Sequence, residues 1–196
     1  MQVEMIKSKL KEKVSEKRYR HILGVEKTAI ELAKIYGVST VDAKLAALLH
    51  DYAKQMPIVQ MQEICKEYFF EETKEYLDQG ELLHGYVGAH LAESEFGIKN
   101  KEILEAIKYH TTGRRNLGLL AKIIYIADAI EPGRDYPGVD ELREIVKKDI
   151  DGALLEEVDR KLKYLLKLES IIHLNSVDMR NWLIELKRKG EKYEIK

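Results

Sequence analysis

Apolar residues recur every three or four positions along nearly the whole chain, and no stretch of useful length alternates as a β-strand would. Glycine and proline stand between these periodic stretches, where helices begin and end. A helix with one apolar stripe must pack that stripe against other helices. The pattern therefore excludes sheet-based architectures and predicts an all-α fold.

Capping residues mark the ends of the predicted helices. Ser15 is suited to cap a long helix that ends before Gly37, and Ser39 or Thr40 is suited to cap the next one. Pro57 suits the first turn of a further helix. The remaining predicted helices cover 3–13, 83–96, 100–110, 119–130, 139–147, 151–168 and 176–189. Because no linker or internal repeat divides them, we expect residues 1–196 to form a single globular domain.

Charge and composition narrow the classes of function. The 196 residues include 33 basic and 34 acidic side chains, so the chain has no global field that would attract nucleic acid. No run approaches the roughly 18 apolar residues needed to span a bilayer. Cys65 has no partner for an internal disulfide, and we interpret it as an inert buried thiol. We therefore expect a cytoplasmic protein that binds neither nucleic acid nor membrane. Whether it forms a homodimer is left open.

Histidine and aspartate side chains interrupt the predicted helices at widely separated positions. The candidate metal ligands are His21, His50, Asp51, His84, His110 and Asp128. Burying an unpaired carboxylate in such apolar segments would cost several kcal/mol, so a bound cation is the economical explanation. Singly, each residue is also compatible with an ordinary hydrogen-bonded core position. Without cysteine, this donor set suits iron, manganese, zinc or another borderline divalent ion.

The adjacent pair His50 and Asp51 constrains the geometry of such a site. Successive side chains on a helix diverge by about 100°, so the two cannot comfortably chelate one ion in the middle of a helix. The helix that carries them is expected to end shortly after Asp51. A carboxylate of Asp51 that bridges two ions also resolves the geometry.

Basic side chains accompany the candidate ligands. They are Arg18, Lys54, Arg114 and Arg134, and Thr111, Thr112 and Gly113 directly follow His110. Guanidinium groups bind phosphate oxygens bidentately and a lysine supplies a point charge, so this set suits several consecutive phosphates. The hydroxyls and open backbone after His110 would suit a phosphate or a ribose. The alternative for each cation is a surface ion pair of little energetic weight.

Five segments in fixed order identify a known family. The strings RYRHILGV, LAALLHDYAK, ELLHGYVGAHL, AIKYHTTGR and IIYIADAIEPGRDYPGVDELR resemble the YqeK family of HD-domain symmetrical dinucleoside tetraphosphatases, over roughly residues 15–185. The resemblance implies an HD core at about 15–135 and a C-terminal helical extension at about 136–196. Residues 115–121 depart from the family pattern, so we assign no substrate contact to them.

The resemblance also implies a two-ion site. One ion would be held by His21, His50, Asp51 and Asp128, and the other by Asp51, His84 and His110. Iron is the ion that the family implies first, with manganese, zinc, cobalt or nickel as alternatives.

The resemblance implies hydrolysis of diadenosine tetraphosphate to two ADP molecules. In this hypothesis a metal-bound hydroxide attacks an inner phosphorus, and Asp51, Lys54 and Arg114 are the catalytic residues. Two alternatives remain open from the sequence: a phosphohydrolase that acts on nucleoside mono- or triphosphates or cyclic nucleotides, and a nucleotide- and metal-binding module without turnover.

Three further polar residues lie outside the ligand pattern. Glu81 is interpreted either as an acceptor that orients the ring of His84 or as a solvent-exposed side chain. His90 and His173 are expected to be structural or solvent-facing.

Overall fold

The computed structural model describes residues 2–191 and residue 193, and within them the chain forms eleven helices and no β-strand. The helices are α1 (Gln2–Lys13), α2 (Glu16–Tyr36), α3 (Thr40–Leu49), α4 (Ile58–Tyr68), α5 (Phe70–Thr73), α6 (Gly80–Phe96), α7 (Lys101–Tyr109), α8 (Leu119–Ile130), α9 (Val139–Ile145), α10 (Ile150–Lys167) and α11 (Leu174–Lys189). The predicted all-α fold is confirmed. Among the described helices, none is both long and apolar enough to cross a lipid bilayer.

The helix ends follow the capping signals of the sequence. The hydroxyl of Ser15 accepts a hydrogen bond from the backbone N–H of Arg18, and that of Ser39 accepts one from Asp42. Gly37 ends α2 with φ at +68°, a left-handed conformation that glycine adopts without a steric penalty. Pro57 is the N-cap of α4, one position before the first helical turn where it was expected.

Two helix boundaries beside the candidate ligands differ from the prediction. Helix α3 ends at Leu49, so His50 and Asp51 lie in the following turns and not inside the helix. Helix α6 begins at Gly80 instead of Leu83, so His84 lies in its second turn. The four-residue helix α5 was not predicted, because a segment this short shows no periodicity.

Helix α8 is the central element of the core. All of its residues from Leu120 to Ala127 are buried. Helices α2, α3, α7 and α10 pack around it. This burial explains why its sequence is apolar on every face, and it places Asp128 at the C-terminal end of the most enclosed helix. Cys65 on α4 is buried as predicted, and burial raises the pKa of its thiol to about 11, which disfavours the reactive thiolate.

Two glycines let α6 lie unusually close to its neighbours. A Cβ atom added to Gly85 would lie 2.6 Å from the carbonyl oxygen of Lys108 on α7. A Cβ atom on Gly88 would lie 3.5 Å from the carbonyl oxygen of Leu49, at the end of α3. The backbones of these three helices therefore meet in the region that carries His50, His84 and His110.

Candidate metal centre

The fold brings the six candidate ligands together from five separate parts of the chain. His21 comes from α2, the pair His50 and Asp51 from the end of α3, His84 from α6, His110 from the end of α7 and Asp128 from α8. Their donor atoms form three overlapping groups within 4.8 Å: His21, His50 and Asp51; His50, His110 and Asp128; and Asp51, His84 and His110. Residues separated by more than one hundred positions therefore share one cluster.

Asp51 lies between two sets of imidazole rings. Its Oδ2 atom lies 3.6 Å from Nε2 of His21 and 3.3 Å from Nε2 of His50. Its Oδ1 atom lies 3.2 Å from Nε2 of His84 and 3.7 Å from Nε2 of His110. Each carboxylate oxygen thus faces its own pair of histidines, which is the arrangement that a bridging carboxylate needs.

Asp128 completes one of the two sets. Its Oδ1 atom lies 3.0 Å from Nε2 of His21, on the side of the cluster that Oδ2 of Asp51 faces. On the other side, the Nε2 atoms of His84 and His110 lie 3.0 Å apart. The hydroxyl of Thr111 lies 3.0 Å from Nε2 of His110 and 3.3 Å from Nε2 of His84.

Three of the histidines have their ring orientation set by an outer acceptor. Nδ1 of His50 donates to the carbonyl oxygen of Ala47 at 2.6 Å, and Nδ1 of His110 donates to that of Ile107 at 2.7 Å. Because a carbonyl oxygen only accepts, Nδ1 carries a proton in both rings and a neutral ring keeps its Nε2 lone pair toward the cluster. Nδ1 of His21 lies 3.1 Å from the carboxylate of Glu131, which orients this ring in the same way.

The buried environment shifts the pKa values of the ligands. Burial lowers the pKa of His110 to about 4 and also lowers that of His84, so both rings are neutral. Burial opposes ionisation of Asp51, but the positive charge favoured on His50 and the close imidazole rings hold its pKa well below the usual range. The pKa of Asp128 is likewise held well below its usual range, against burial, by its contact with His21.

His50 behaves differently from the other rings. Burial lowers its pKa, but the adjacent carboxylate of Asp51 outweighs burial and the net pKa is raised. The carboxylate that favours a proton on this ring would also favour a metal cation beside it.

These residues fit a divalent metal. Nε2 of His21 and Nε2 of His50 are buried and make no hydrogen bond within the described part of the chain. Buried polar atoms are nearly always satisfied, so orphaned nitrogens that face ionised carboxylates indicate that a ligand belongs between them. Neutral imidazole and carboxylate oxygen are the donors that borderline divalent ions accept.

Three of the four predicted cations lie at the cluster. Nη1 of Arg18 donates to Oδ2 of Asp51 at 2.8 Å, and Nη2 of Arg134 donates to Oδ1 of Asp128 at 2.7 Å. Lys54 lies close enough to His84 for its charge to help lower the pKa of that ring.

Arg114 points elsewhere. Its guanidinium donates to Glu105 at 2.6 Å and lies over the ring of Tyr109, so the structure does not bring it to the ligand cluster. Glu81 makes an ion pair with Lys54 at 2.5 Å, and Nδ1 of His84 has no hydrogen-bond partner within the described part of the chain. An acceptor role of Glu81 toward His84 therefore does not appear.

Of the predicted residues that follow His110, one lies at the cluster and others lie in the protein interior. The hydroxyl of Thr111 faces the ligand nitrogens, as given above, whereas Thr112 is buried and its hydroxyl donates to the carbonyl oxygen of Gly113. His90 stacks on the ring of Tyr68 at 4.1 Å and lies outside the cluster, and the buried His173 caps α11. Both positions agree with the expectation that these two histidines are structural or solvent-facing.

A basic cavity opens beside the cluster. It has a volume of about 720 Å³, and its lining includes Lys17, Arg18, Arg20, His21, Glu131 and Arg134. A slightly larger cavity, of about 780 Å³, lies among α9, α10 and α11 and has several acidic residues in its lining. No candidate ligand lines the larger cavity, so the basic cavity is the one suited to an anion near the cluster.

The comparison with protein families agrees with this geometry. The model of the family described as HD domain matches residues 18–133, which contain all six clustered ligands. The chain belongs to the HD-domain family. Helices α9, α10 and α11 follow the matched HD-domain region.

Individual relatives of this HD-domain chain carry a consistent name. Bis(5'-nucleosyl)-tetraphosphatase, symmetrical, of Bacillus subtilis (strain 168) is 40% identical over 177 residues, which cover 89% of this chain and 94% of the relative. The protein of the same name from Staphylococcus aureus (strain NCTC 8325 / PS 47) is 40% identical over 93% of this chain and 94% of the relative. A crystal structure from Clostridium acetobutylicum, titled a predicted HD superfamily hydrolase involved in NAD metabolism, is 44% identical, with a TM-score of 0.89 over 93% of this chain and 96% of that chain.

Two residues at the centre were not singled out from the sequence. Glu131 accepts from His21, and its only sequence signal is a carboxylate three positions after Asp128. Lys161 on α10 donates to the carbonyl oxygen of Thr111. Nothing in the sequence near Lys161 distinguishes it from the other lysines of this amphipathic helix.

Proposed function

We propose that the chain is a metal-dependent hydrolase that splits dinucleoside tetraphosphates symmetrically, converting diadenosine tetraphosphate into two ADP molecules. The observation that carries the proposal is the carboxylate of Asp51, with one oxygen facing His21 and His50 and the other facing His84 and His110. The relatives named above supply the substrate class, since they are called symmetrical bis(5'-nucleosyl)-tetraphosphatases.

Two divalent ions are part of the proposal, with His21, His50, Asp51 and Asp128 holding one and Asp51, His84 and His110 holding the other. Iron is the proposed metal, with manganese, zinc, cobalt and nickel as alternatives that the same donor set accepts. Bound divalent ions lower the pKa of a coordinated water and withdraw charge from phosphoryl oxygens.

The side chains around the centre have separable tasks in this proposal. Asp51 and Asp128 are ionised and His84 and His110 are neutral, so these four ligands need lose no proton before they bind, whereas the raised pKa of His50 means that an ion would displace a proton from this ring. Most of the ligands are buried, and a lower local dielectric strengthens charge interactions with the phosphate chain. Lys54 is placed to offset negative charge that builds up on the departing phosphate.

The phosphate chain is proposed to run from the centre into the basic cavity. Arg18 and Arg134 lie at both the centre and the cavity wall, and each guanidinium has further N–H groups for phosphate oxygens. The hydroxyl of Thr111 is proposed to contact a phosphate or ribose. Roles for Thr112, Gly113 and Arg114 in substrate binding also stay predictions, since their contacts in the structure are to other parts of the protein.

The proposal extends to the domain organisation, the compartment and the oligomeric state. We propose that residues 1–196 act as one domain, with an HD core at about 15–135 and an extension at about 136–196, in the cytoplasm. A homodimer would cover exposed apolar side chains between residues 164 and 177, such as Leu166 and Leu174. Light scattering during size-exclusion chromatography tests the homodimer.

The enzymatic proposal is tested by elemental analysis of freshly purified protein, followed by product identification. Diadenosine tetraphosphate and GTP are offered side by side to metal-loaded and chelator-treated protein. The proposal expects ADP as the sole nucleotide product from diadenosine tetraphosphate, with activity lost on chelation and restored by a divalent metal. Release of phosphate or triphosphate from GTP as the faster reaction would reject the substrate class, and metal content without any turnover would favour a binding module.

A further inference from the structure

We propose that Lys161, on helix α10 of the C-terminal extension, is a positioning residue for the half of the metal centre formed by Asp51, His84 and His110. The inference rests on the proposed function, because it concerns how that ion site is held. Lys161 lies beyond residues 18–133, the part of the chain that matches the HD-domain model. A role for it would make the extension part of the active site.

The first observation is the position of the segment that Lys161 contacts. Helix α7 ends at Tyr109, and the chain turns sharply, since the backbone N–H of Gly113 donates to the carbonyl oxygen of Tyr109 at 2.8 Å. His110 and the hydroxyl of Thr111 both face the centre from this turn. Any movement of the turn would therefore move a ligand.

The second observation is that α10 and α11 hold this turn at three points. Nζ of Lys161 donates to the carbonyl oxygen of Thr111 at 2.6 Å. Oγ of Ser176 donates to the carbonyl oxygen of Thr112 at 2.7 Å, in a buried position. Gly113 has φ at +63°, and a Cβ atom there would collide with the side chain of Met179. The loop is thus fixed from outside the HD-domain region.

The third observation is the environment of the Lys161 ammonium group. The ammonium lies 5.1 Å from the centre of the Tyr125 ring, and Lys161 is only partly exposed. This position costs the ammonium part of its hydration. Burial lowers the pKa of Lys161, the charges of Lys54 and Arg160 act in the same direction, and those of Asp128 and Glu157 oppose the shift. A lysine whose ammonium is turned inward onto a backbone carbonyl differs from the usual solvated lysine on a helix surface.

Together these contacts explain why a ligand at the end of a helix can be rigid. The backbone bond from Gly113 to Tyr109 closes the turn that carries His110, and the contacts from Lys161 and Ser176 hold its carbonyl groups from outside. Loss of an outer contact that orients a ligand typically lowers metal affinity 10- to 100-fold. Because Lys161 holds the residue next to the ligand and not the ligand itself, we expect a loss of about tenfold, at the lower end of that range.

The test compares Lys161→Met with wild type and with a matched control, Lys163→Met, which removes an exposed lysine from the same helix. Metal affinity is measured by titration of the metal-stripped full chain with Mn²⁺, and the 110–114 turn is followed by amide hydrogen exchange. We expect Lys161→Met to weaken one of two tight Mn²⁺ sites by about tenfold and to speed exchange in the turn. Lys163→Met is expected to match wild type in both measurements.

Two further variants assign the effect. Lys161→Arg keeps a charged donor and should restore most of the lost affinity. Asp128→Asn weakens the opposite half of the centre, so adding Lys161→Met to it should leave no tight Mn²⁺ site. If Lys161→Met does not fold, Ser176→Ala removes the neighbouring tether and should speed exchange in the same turn.

Three results separate the proposals. Wild-type Mn²⁺ affinities with unchanged exchange in the turn would overturn the role of Lys161. Unchanged affinities with only a higher KM for diadenosine tetraphosphate would also overturn it, because Lys161 would then be a substrate contact. If the wild-type chain itself binds no Mn²⁺ and hydrolyses nothing, the proposed function fails before any variant is compared.

Discussion

Substitution of Glu131 by glutamine probes the acceptor that orients His21. The side chain of Glu131 is buried, and its two oxygens have different partners: Oε1 lies 3.1 Å from Nδ1 of His21, and Oε2 accepts from the backbone N–H of Gly133 at 2.6 Å. Glutamine keeps the shape of the side chain but replaces one oxygen by an NH₂ group, which can only donate. One of these two contacts must therefore change.

Either orientation of the new amide is unfavourable. If its oxygen faces His21, the NH₂ group meets the N–H of Gly133, and a buried donor is left unpaired at a cost of about 1–3 kcal/mol. If its oxygen faces Gly133, the NH₂ group meets Nδ1 of His21, and the ring must move its proton to Nε2, the atom that faces Asp51 and Asp128. The second arrangement removes the lone pair that a metal ion needs.

We expect Glu131→Gln to weaken the ion site of His21, His50, Asp51 and Asp128 by about 10- to 100-fold, or about 1.4 to 2.7 kcal/mol. The site of Asp51, His84 and His110 should keep its affinity. Mn²⁺ titration of metal-stripped protein measures both sites, and Glu141→Gln, an exposed carboxylate on α9, serves as the control. Two tight sites with wild-type affinities in Glu131→Gln would refute the assigned role of the carboxylate.

Three other variants address the centre and the C-terminal helices. Asp51→Ala should abolish both tight metal sites and activity while circular dichroism shows the helices retained, and full metal content with turnover would reject a bridging carboxylate. Arg18→Ala should raise the KM for diadenosine tetraphosphate by about tenfold or more, since a charge-assisted hydrogen bond contributes about 1.5–3 kcal/mol. Arg114→Ala should raise it by a smaller factor, because the guanidinium of Arg114 already pairs with Glu105; equal effects in steady-state kinetics would contradict this ranking. Burial lowers the pKa of His173 below 6.5, so the unfolded chain takes up a proton that the folded chain does not, and stability that is present above pH 6.5 falls as the solution is acidified. His173→Asn keeps an N-cap acceptor and should reduce that dependence by up to about 1.4 kcal/mol per pH unit in urea unfolding at pH 7 and pH 5.5, and an unchanged pH dependence would show that His173 does not contribute.

Most of the fold was predictable because its signals are local. Ser15 and Gly37 bound α2 in the structure as they do in the sequence, since capping depends on residues within one turn of each other. The end of α3 was less visible. The apolar pattern continues up to His50, and no glycine or proline follows Leu49 before Pro57, so no local signal marks the end of the helix at Leu49.

The residues of the site likewise include some with a local sequence signal and some without one. The ligands were predictable because burying an ionisable group in an apolar helix costs free energy unless the group is paired. The direction in which the basic side chains point was not predictable. Arg18 and Arg114 each lie within about one turn of a histidine, but of these two only Arg18 reaches the cluster. Lys161 could not be found at all, because its partner Thr111 is fifty positions away and an ordinary amphipathic pattern surrounds it.

Gly85 of α6 bears on the recognition of active relatives of this chain. A methyl group at position 85 would overlap the backbone of α7, so alanine there would push the two helices apart and separate the Nε2 atoms of His84 and His110, now 3.0 Å from each other. A relative could therefore retain all six ligand residues and still fail to bind an ion. Screening of homologues for metal competence should therefore score the absence of a side chain at this position together with the presence of the ligands.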